Sequence, residues 1–311
     1  MRQARPPSDT SPAGPARPAE DDLGRYRAVR ARTEALCAPL SPEDAVVQSM
    51  PDASPAKWHL AHTTWFFETF LLAGREPGFA PFDAGYGYLF NSYYEAVGPR
   101  HARAQRGLLT RPSLREVAAY RRAVDLRVEA LLARGLDAGG EAVLALGLAH
   151  EEQHQELVLT DVKHLLAQSP LRPAYAPALP PPGRAPAAPA RWVEHPGGVY
   201  EVGHAGDGFA FDDEGPRHRV VLEPFALASR PVTCGEWLAF MGDGGYRRPE
   251  LWMSDGLAAA QGGGWEAPLH WIRDGGAWRA FTLHGVRDLD PAEPVAHLSW
   301  YEADAYARWA G

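Results

Sequence analysis

A segment rich in proline and alanine, residues 169–190, divides the sequence into two parts with different patterns. Proline lacks a backbone N–H and fixes φ, so this composition favours an extended linker. Before the linker, residues 22–168 show helical periodicity, whereas residues 191–311 show short apolar runs, glycine turns and many tryptophans. A length of 311 residues accommodates two domains. The sequence therefore predicts an α+β protein: a helical domain, a linker and a mixed domain.

The first part predicts four helices, the number found in a simple helical bundle. Serine followed by proline marks two helix starts, at Ser41 and Ser54, because serine caps a helix and proline suits its first position. A capping box from Ser113 to Glu116 predicts the start of the third helix. The fourth covers about residues 141–168.

The second part predicts strands as well as helices. The runs "VYEVG" (199–203) and "RHRVVLEPFAL" (217–227) are typical of strands. A capping box at Thr233 and Glu236 predicts one helix, and Ser299 predicts the start of another.

Composition limits the classes of function. The net charge of -8 argues against nucleic-acid binding, which needs a positive surface, and no apolar run approaches the about 18 residues of a membrane span. Residues 1–21 lack the apolar core of a secretory signal and predict a disordered leader. The only two cysteines, Cys37 and Cys234, lie far apart in the sequence, which favours a reducing cytoplasm over a disulfide framework. Cys234 is interpreted as a packing residue.

Two histidines four residues apart, His150 and His154, lie within the predicted fourth helix in the motif "HEEQH". At this spacing both imidazoles project from one helix face and can reach one metal ion. The residues expected on that face are mostly apolar: Val143, Gly147, Leu157, Asp161 and Leu165. The pair is therefore predicted to point into the bundle, where unpartnered imidazoles are costly. Metal ligation and a hydrogen-bonded polar network both satisfy that requirement.

A third ligand is available from the predicted second helix. His62 shares its face with Trp58 and is predicted to be buried, whereas His59 lies on a flank and is the weaker choice. His101 and His164 remain open as further candidates. Three histidines without a carboxylate ligand leave coordination positions free, which suits Fe(II) with oxygen or Zn(II) activating a thiol.

Long motifs resemble one enzyme family, the ergothioneine-biosynthesis sulfoxide synthases. They are "DASPAKWHLAHTTWFFETF", "FNSYYEAVGPRHARAQRGLLTRP", "HEEQHQELVLTDVKH" and the glycine- and tryptophan-rich stretch 197–256. The resemblance covers about residues 22–311. It implies a DinB-like four-helix bundle followed by a partial domain of the formylglycine-generating-enzyme type, and non-haem iron chemistry.

Matched motif by motif, the resemblance implies roles for particular residues. The implied Fe(II) ligands are His62, His150 and His154. Gln153 falls where the family contacts its betaine substrate, hercynine. Arg103 and Arg106 fall where it binds carboxylates of the thiol substrate, gamma-glutamylcysteine or cysteine; without the resemblance, a solvated loop is the simpler interpretation of these arginines.

The implied reaction uses O2 to form a carbon–sulfur bond to hercynine while the sulfur is oxidised to a sulfoxide. In this family the second domain continues past the position of residue 311 and carries the active-site tyrosine there, so no catalytic residue is assigned; Tyr93 and Tyr94 do not replace it. Four alternatives stay open: an ovothiol-type synthase, a selenoneine-type synthase, a zinc-dependent DinB-type thiol transferase, and an inactive truncated fragment.

Overall fold

The computed structural model describes most of the chain: residues 19–177, 186–206 and 208–311. The chain divides into two compact units, Met1–Leu159 and Thr160–Gly311. Of the predicted leader (1–21), residues 1–18 lie outside the described residues. Its last three residues begin a helix. Within the predicted linker (169–190), residues 178–185 also lie outside the described part.

Helices form the first unit, and the last of them extends past its end. Their bounds are α1 Ala19–Cys37, α2 Ala56–Phe66, α3 Tyr86–Phe90, α4 Leu114–Leu132 and α5 Ala138–Gln168. A π-helical turn, Phe67–Leu72, continues α2. The capping box at Ser113 and Glu116 forms as predicted, with the backbone N–H of Glu116 donating to Ser113 Oγ. Ser54 also marks a true start, since α2 begins two residues later.

One predicted helix start is wrong. Ser41 precedes only a short 3-10 turn, Asp44–Val46, and its Oγ accepts a hydrogen bond from the backbone N–H of Asp44. The first long helix of the unit is instead α1, upstream of this turn. Pro51 follows too closely for a full helix, because the residue before proline avoids helical φ and ψ and a short helix does not recover its nucleation cost.

The core of the first unit is aromatic and aliphatic. Its fully buried side chains include Tyr26, Trp65, Phe66, Phe67, Leu71, Phe90, Val117 and Tyr120. They come from α1 to α4 and from the π-helical turn after α2. Helix α4 buries one face, whereas every residue of α2 is buried. No helix among the described residues has both the length and the apolar character required to cross a bilayer.

The second unit combines strands and helices. Its elements after the linker are β1 Trp192–His195, β2 Gly198–Val202, β3 His218–Leu222, β4 Phe225–Ala228, α6 Cys234–Gly242, α7 Ser254–Gly263, β5 Trp271–Asp274, β6 Ala277–Thr282, β7 Gly285–Asp288 and α8 Trp300–Ala310. Strand β1 pairs with β4 and β2 with β3, while β5, β6 and β7 form a three-stranded sheet; every pair is antiparallel.

Local signals in the second unit agree with the observed elements. The second predicted strand is two strands, β3 and β4, separated at Glu223 and Pro224, because proline cannot donate to a strand ladder. The capping boxes at Thr233 and Ser299 both form and begin α6 and α8. A cluster that includes Trp237 fills the core between these helices, and Cys234 is a buried thiol. A helical domain followed by a sheet-containing domain makes the protein α+β, as predicted.

Candidate metal centre

Helices α2 and α5 bring three histidines together inside the first unit. His62 comes from α2, and His150 and His154 come from successive turns of α5. One ligand nitrogen from each lies within 4.8 Å of the others. The three side chains are 1%, 9% and 7% exposed, respectively.

Hydrogen bonds determine which imidazole nitrogens face the centre. His62 Nδ1–H donates to Phe90 O at 2.5 Å, so Nε2 is left for a metal. This atom lies 3.2 Å from His150 Nε2, close to the about 3.0–3.4 Å expected between two ligand nitrogens that are each about 2.1 Å from an ion. His154 Nδ1 lies 2.8 Å from His59 Nδ1, which leaves its Nε2. Among the described residues, His150 Nδ1 has no hydrogen-bond partner.

Burial keeps these imidazoles neutral. Loss of solvent lowers the pKa of His62 and His154 well below the ordinary value, and neighbouring histidines lower both further. Burial likewise lowers the pKa of His150 to about 4, although the carboxylate of Glu151 opposes the shift. A neutral imidazole is the form that binds metals. Three neutral nitrogen donors at ligand spacing therefore fit a divalent first-row metal.

His59, the weaker ligand candidate in the sequence, is not part of the three-histidine group but contacts one of its members. It is 2% exposed and lies against His154, with the two rings 5.0 Å apart at an angle of 61°. If Nε2 of His154 binds a metal, its Nδ1 carries the proton and donates to His59, which orients the ligand. The sequence signal for this position was the three-residue spacing from His59 to His62, which places both side chains on the same side of α2.

The buried face of α5 differs from the predicted one. Leu157, expected inside, is 38% exposed. The residues that form the buried stripe are Leu144, Leu148, Glu151, Val158 and Val162. The two histidines lie at the edge of this stripe, beside the buried Gly147. The prediction that the histidine pair points into the bundle is confirmed, whereas the placement of Leu157 was wrong. A window of apolar residues cannot reveal a charged residue that is buried by its partners.

That charged residue is Glu151, which is 0% exposed. Its carboxylate accepts hydrogen bonds from Arg121 at 2.5 Å, Arg30 at 2.8 Å and Thr33 Oγ1 at 2.6 Å. Burial acts to raise the pKa of Glu151, but the two guanidinium groups outweigh it and lower the pKa to about 2. Glu151 thus joins α5 to α1 and α4 directly behind His150.

The arginines and the glutamine carried over from the family differ in environment. Arg106 is 5% exposed, and its Cζ lies 3.4 Å from the ring centroid of Trp58. Arg103 is exposed and donates to Tyr93 Oη at 2.6 Å and to the carbonyl oxygen of Asp52. Gln153 is exposed on α5.

The two other histidines left open by the sequence are not part of the three-histidine group. His101 is part-buried on the loop after α3, with Nε2 3.1 Å from Gln105 O. His164 belongs to the second unit. Among the described residues, the group that meets ligand spacing consists of His62 and the α5 pair alone.

Comparison with known proteins agrees with this architecture. Residues 25–158 match the DinB superfamily, and residues 180–311 match the sulfatase-modifying factor enzyme 1-like domain. The fold and the three-histidine cluster thus define a two-domain protein in which a DinB-type helical domain precedes a domain of the sulfatase-modifying-factor type. The formylglycine-generating enzyme of Streptomyces coelicolor is 34% identical over 140 residues, covering 38% of this chain and 42% of that enzyme.

Relatives that align with both parts of the chain are more extensive matches. Hercynine oxygenase of Mycobacterium tuberculosis is 35% identical over 265 residues, or 84% of this chain, and that of Mycolicibacterium thermoresistibile is 34% identical over 266 residues. The chain belongs to the hercynine oxygenase family. It spans 59% and 56% of the lengths of these two relatives.

Proposed function

We propose that the protein is an O2-dependent oxidoreductase: a non-haem Fe(II) sulfoxide synthase that joins hercynine to gamma-glutamylcysteine or cysteine in ergothioneine biosynthesis. The observation that carries the proposal is the cluster of three buried, neutral imidazoles in a member of the hercynine oxygenase family. We further propose a cytoplasmic location, which the free thiols of Cys37 and Cys234 support.

In this proposal the metal ligands are His62, His150 and His154. Three protein ligands leave coordination positions for small molecules. Fe(II), when bound, would supply the redox chemistry that couples oxygen to carbon–sulfur bond formation. The protein would supply proximity, because fixing two substrates in one geometry replaces an improbable encounter.

Substrate contacts are proposed for Gln153, Arg103 and Arg106. Gln153 is exposed on α5 three residues after His150, a spacing that places the two side chains on the same side of the helix. Arg103 is exposed at the start of the 3-10 helix Arg103–Leu108. A guanidinium pairs bidentately with a carboxylate, which suits the thiol substrates.

A second candidate function is a zinc-dependent thiol transferase. The specific observation in its favour is that three imidazoles in a DinB-type domain suit Zn(II) as well as Fe(II). The second domain and the identity to hercynine oxygenases favour the iron enzyme. Ovothiol-type and selenoneine-type synthases differ from it in substrate only.

The test is an anaerobic incubation of the 311-residue chain with Fe(II), hercynine and gamma-glutamylcysteine, followed by oxygen and mass analysis of products. We expect the mass of the joined sulfoxide, with cysteine replacing gamma-glutamylcysteine in a parallel reaction. His150→Ala should lose stoichiometric iron and the product. Zinc-dependent turnover without O2 consumption would support the transferase instead, and no sulfoxide from iron-loaded protein would refute the proposal.

A further inference from the structure

Four flat side chains form a stack that passes through one of the three histidines. The Arg106 guanidinium lies on Trp58, with Cζ 3.4 Å from the ring centroid. The Trp58 and His62 rings are 4.5 Å apart and nearly parallel, at 12°. Trp65 continues the stack, 5.6 Å from His62 at 20°. The four side chains are 1–5% exposed, so the arrangement is part of the packed interior.

Hydrogen bonds to two consecutive carbonyls hold the central pair of rings together. Trp58 Nε1–H donates to Leu89 O at 3.1 Å, and His62 Nδ1–H donates to Phe90 O at 2.5 Å. Both carbonyls belong to the last turn of α3. Because the two rings share one anchor, a change in the orientation of the indole must disturb the imidazole stacked on it. The anchor also leaves His62 Nε2 as the only nitrogen directed at the histidine cluster.

Hydrogen bonds also fix the position of Arg106. Its Nη1 donates to Ser54 Oγ at 2.9 Å, and its Nη2 donates to Ser92 Oγ at 3.3 Å. Ser54 precedes α2 and Ser92 follows α3, so one guanidinium joins both segments while it lies on the indole. A cation over an aromatic face is attracted by the negative face of the ring, and the attraction is stronger when both groups are desolvated. Arg106 therefore holds Trp58 in place by stacking on it, while Nη1 and Nη2 anchor the guanidinium to Ser54 and Ser92.

From this geometry we infer that Trp58 is a positioning residue for His62, and that Arg106 acts on the metal centre through Trp58. The inference rests on the proposed metal site. Metal-bound histidines are usually oriented by a single hydrogen bond from the second nitrogen. Here a stacked indole adds a second constraint, because the hydrogen bond alone leaves the imidazole plane free to tilt about its axis. The alternative role for Trp58 is simple core packing.

The test measures Co(II) binding by the full chain, since the visible absorption of Co(II) reports the number and geometry of its ligands. Trp58→Leu removes the stacking surface and the indole N–H; we expect affinity to fall about 10- to 100-fold, the range for loss of an orienting partner, with a changed spectrum. Trp58→Phe keeps a flat ring and should restore most of the affinity and the wild-type spectrum. Arg106→Gln should lower affinity less than Trp58→Leu.

A matched control is Tyr120→Leu, which removes another fully buried ring from the same core. It should lower the melting temperature without changing Co(II) affinity or spectrum. If Trp58→Leu does not fold, Arg106→Gln and Trp58→Phe provide the comparison. Wild-type affinity and spectrum in the folded stack variants would overturn the inference and leave the metal site standing. Failure of the wild-type chain to bind Co(II) would instead overturn the metal site itself.

Discussion

At the scale of single residues, Glu151 is the most constrained charge in the described part of the first unit. It is fully buried between two guanidinium groups, those of Arg30 and Arg121. Glu151→Gln removes the fully buried counter-charge that the two cations share, although Arg30 keeps Asp125 and Arg121 keeps Glu34 as partners. Removing one partner of a buried ion pair costs about 3–5 kcal/mol. We expect the free energy of unfolding to fall by about 3 kcal/mol in urea titrations at pH 7.

The pKa of Glu151 also determines how this difference depends on pH. Its folded value of about 2 lies below the ordinary 4.5. The stabilisation is therefore complete above pH 4.5 and is lost as the pH falls towards 2, so wild type and Glu151→Gln should converge in acid. The control is Glu152→Gln, an exposed neighbour, which should change stability by less than about 0.5 kcal/mol. Equal stability of the two variants at pH 7 would contradict the role of the buried network.

The difference between Glu151 and His62 shows what can be predicted about a single residue. The burial of His62 followed from the apolar side chains that share its helix face. Glu151 is buried because Arg30 and Arg121 reach it from α1 and α4, and neither partner is adjacent to it in the sequence. Burial of a charge depends on long-range partners, so a local pattern assigns such a residue to the surface.

At the scale of elements, the contact of α5 with α2 depends on Gly147. A Cβ atom at this position would lie 2.5 Å from Phe67 Cε1 and 2.9 Å from Phe66 Cε1. These rings are fully buried, so Gly147→Ala must shift α5 at a cost of about 1–3 kcal/mol. His150 lies less than one turn away, and we expect weaker Co(II) binding together with lower stability in urea titrations.

Gly24→Ala in α1 provides the matched control, because no atom lies within 4 Å of its added Cβ. Both substitutions restrict the unfolded chain equally. The difference between their changes in the free energy of unfolding therefore reports the packing of α5. Gly24→Ala should stabilise the chain by up to about 1 kcal/mol. If Gly147→Ala were equally stable and bound Co(II) as tightly, close helix contact would not determine the position of His150.

Helix ends were predictable where the signal is local. The capping boxes at Ser113, Thr233 and Ser299 use side chains three residues apart, and all three form. Ser41 carries the same kind of signal, but the following residues do not supply a long enough helix before Pro51. A cap indicates where a helix can begin, and the residues after it determine whether one forms.

At the scale of the whole molecule, the change of sequence pattern around the linker predicted a helical part followed by a mixed part. Strand partners were not predictable, because β1 pairs with β4 across the intervening β2 and β3. Such pairing depends on contacts distant in sequence, whereas periodicity reports only local conformation. Likewise, the second unit exposes Trp192 by 74% and Val221 by 72%, although both residue types favour burial.

The distribution of the candidate ligands between the units leads to a prediction for the whole chain. All three histidines belong to the first unit, and the second unit has its own hydrophobic core. A metal that binds only the folded state stabilises it by about 2.7 kcal/mol at a concentration 100 times its Kd. Hydrogen exchange measured with and without Co(II) should therefore show slower exchange in α2 and around His150, with little change in β1–β4. His150→Ala should abolish the effect, and equal protection of both units would contradict a metal site confined to the first.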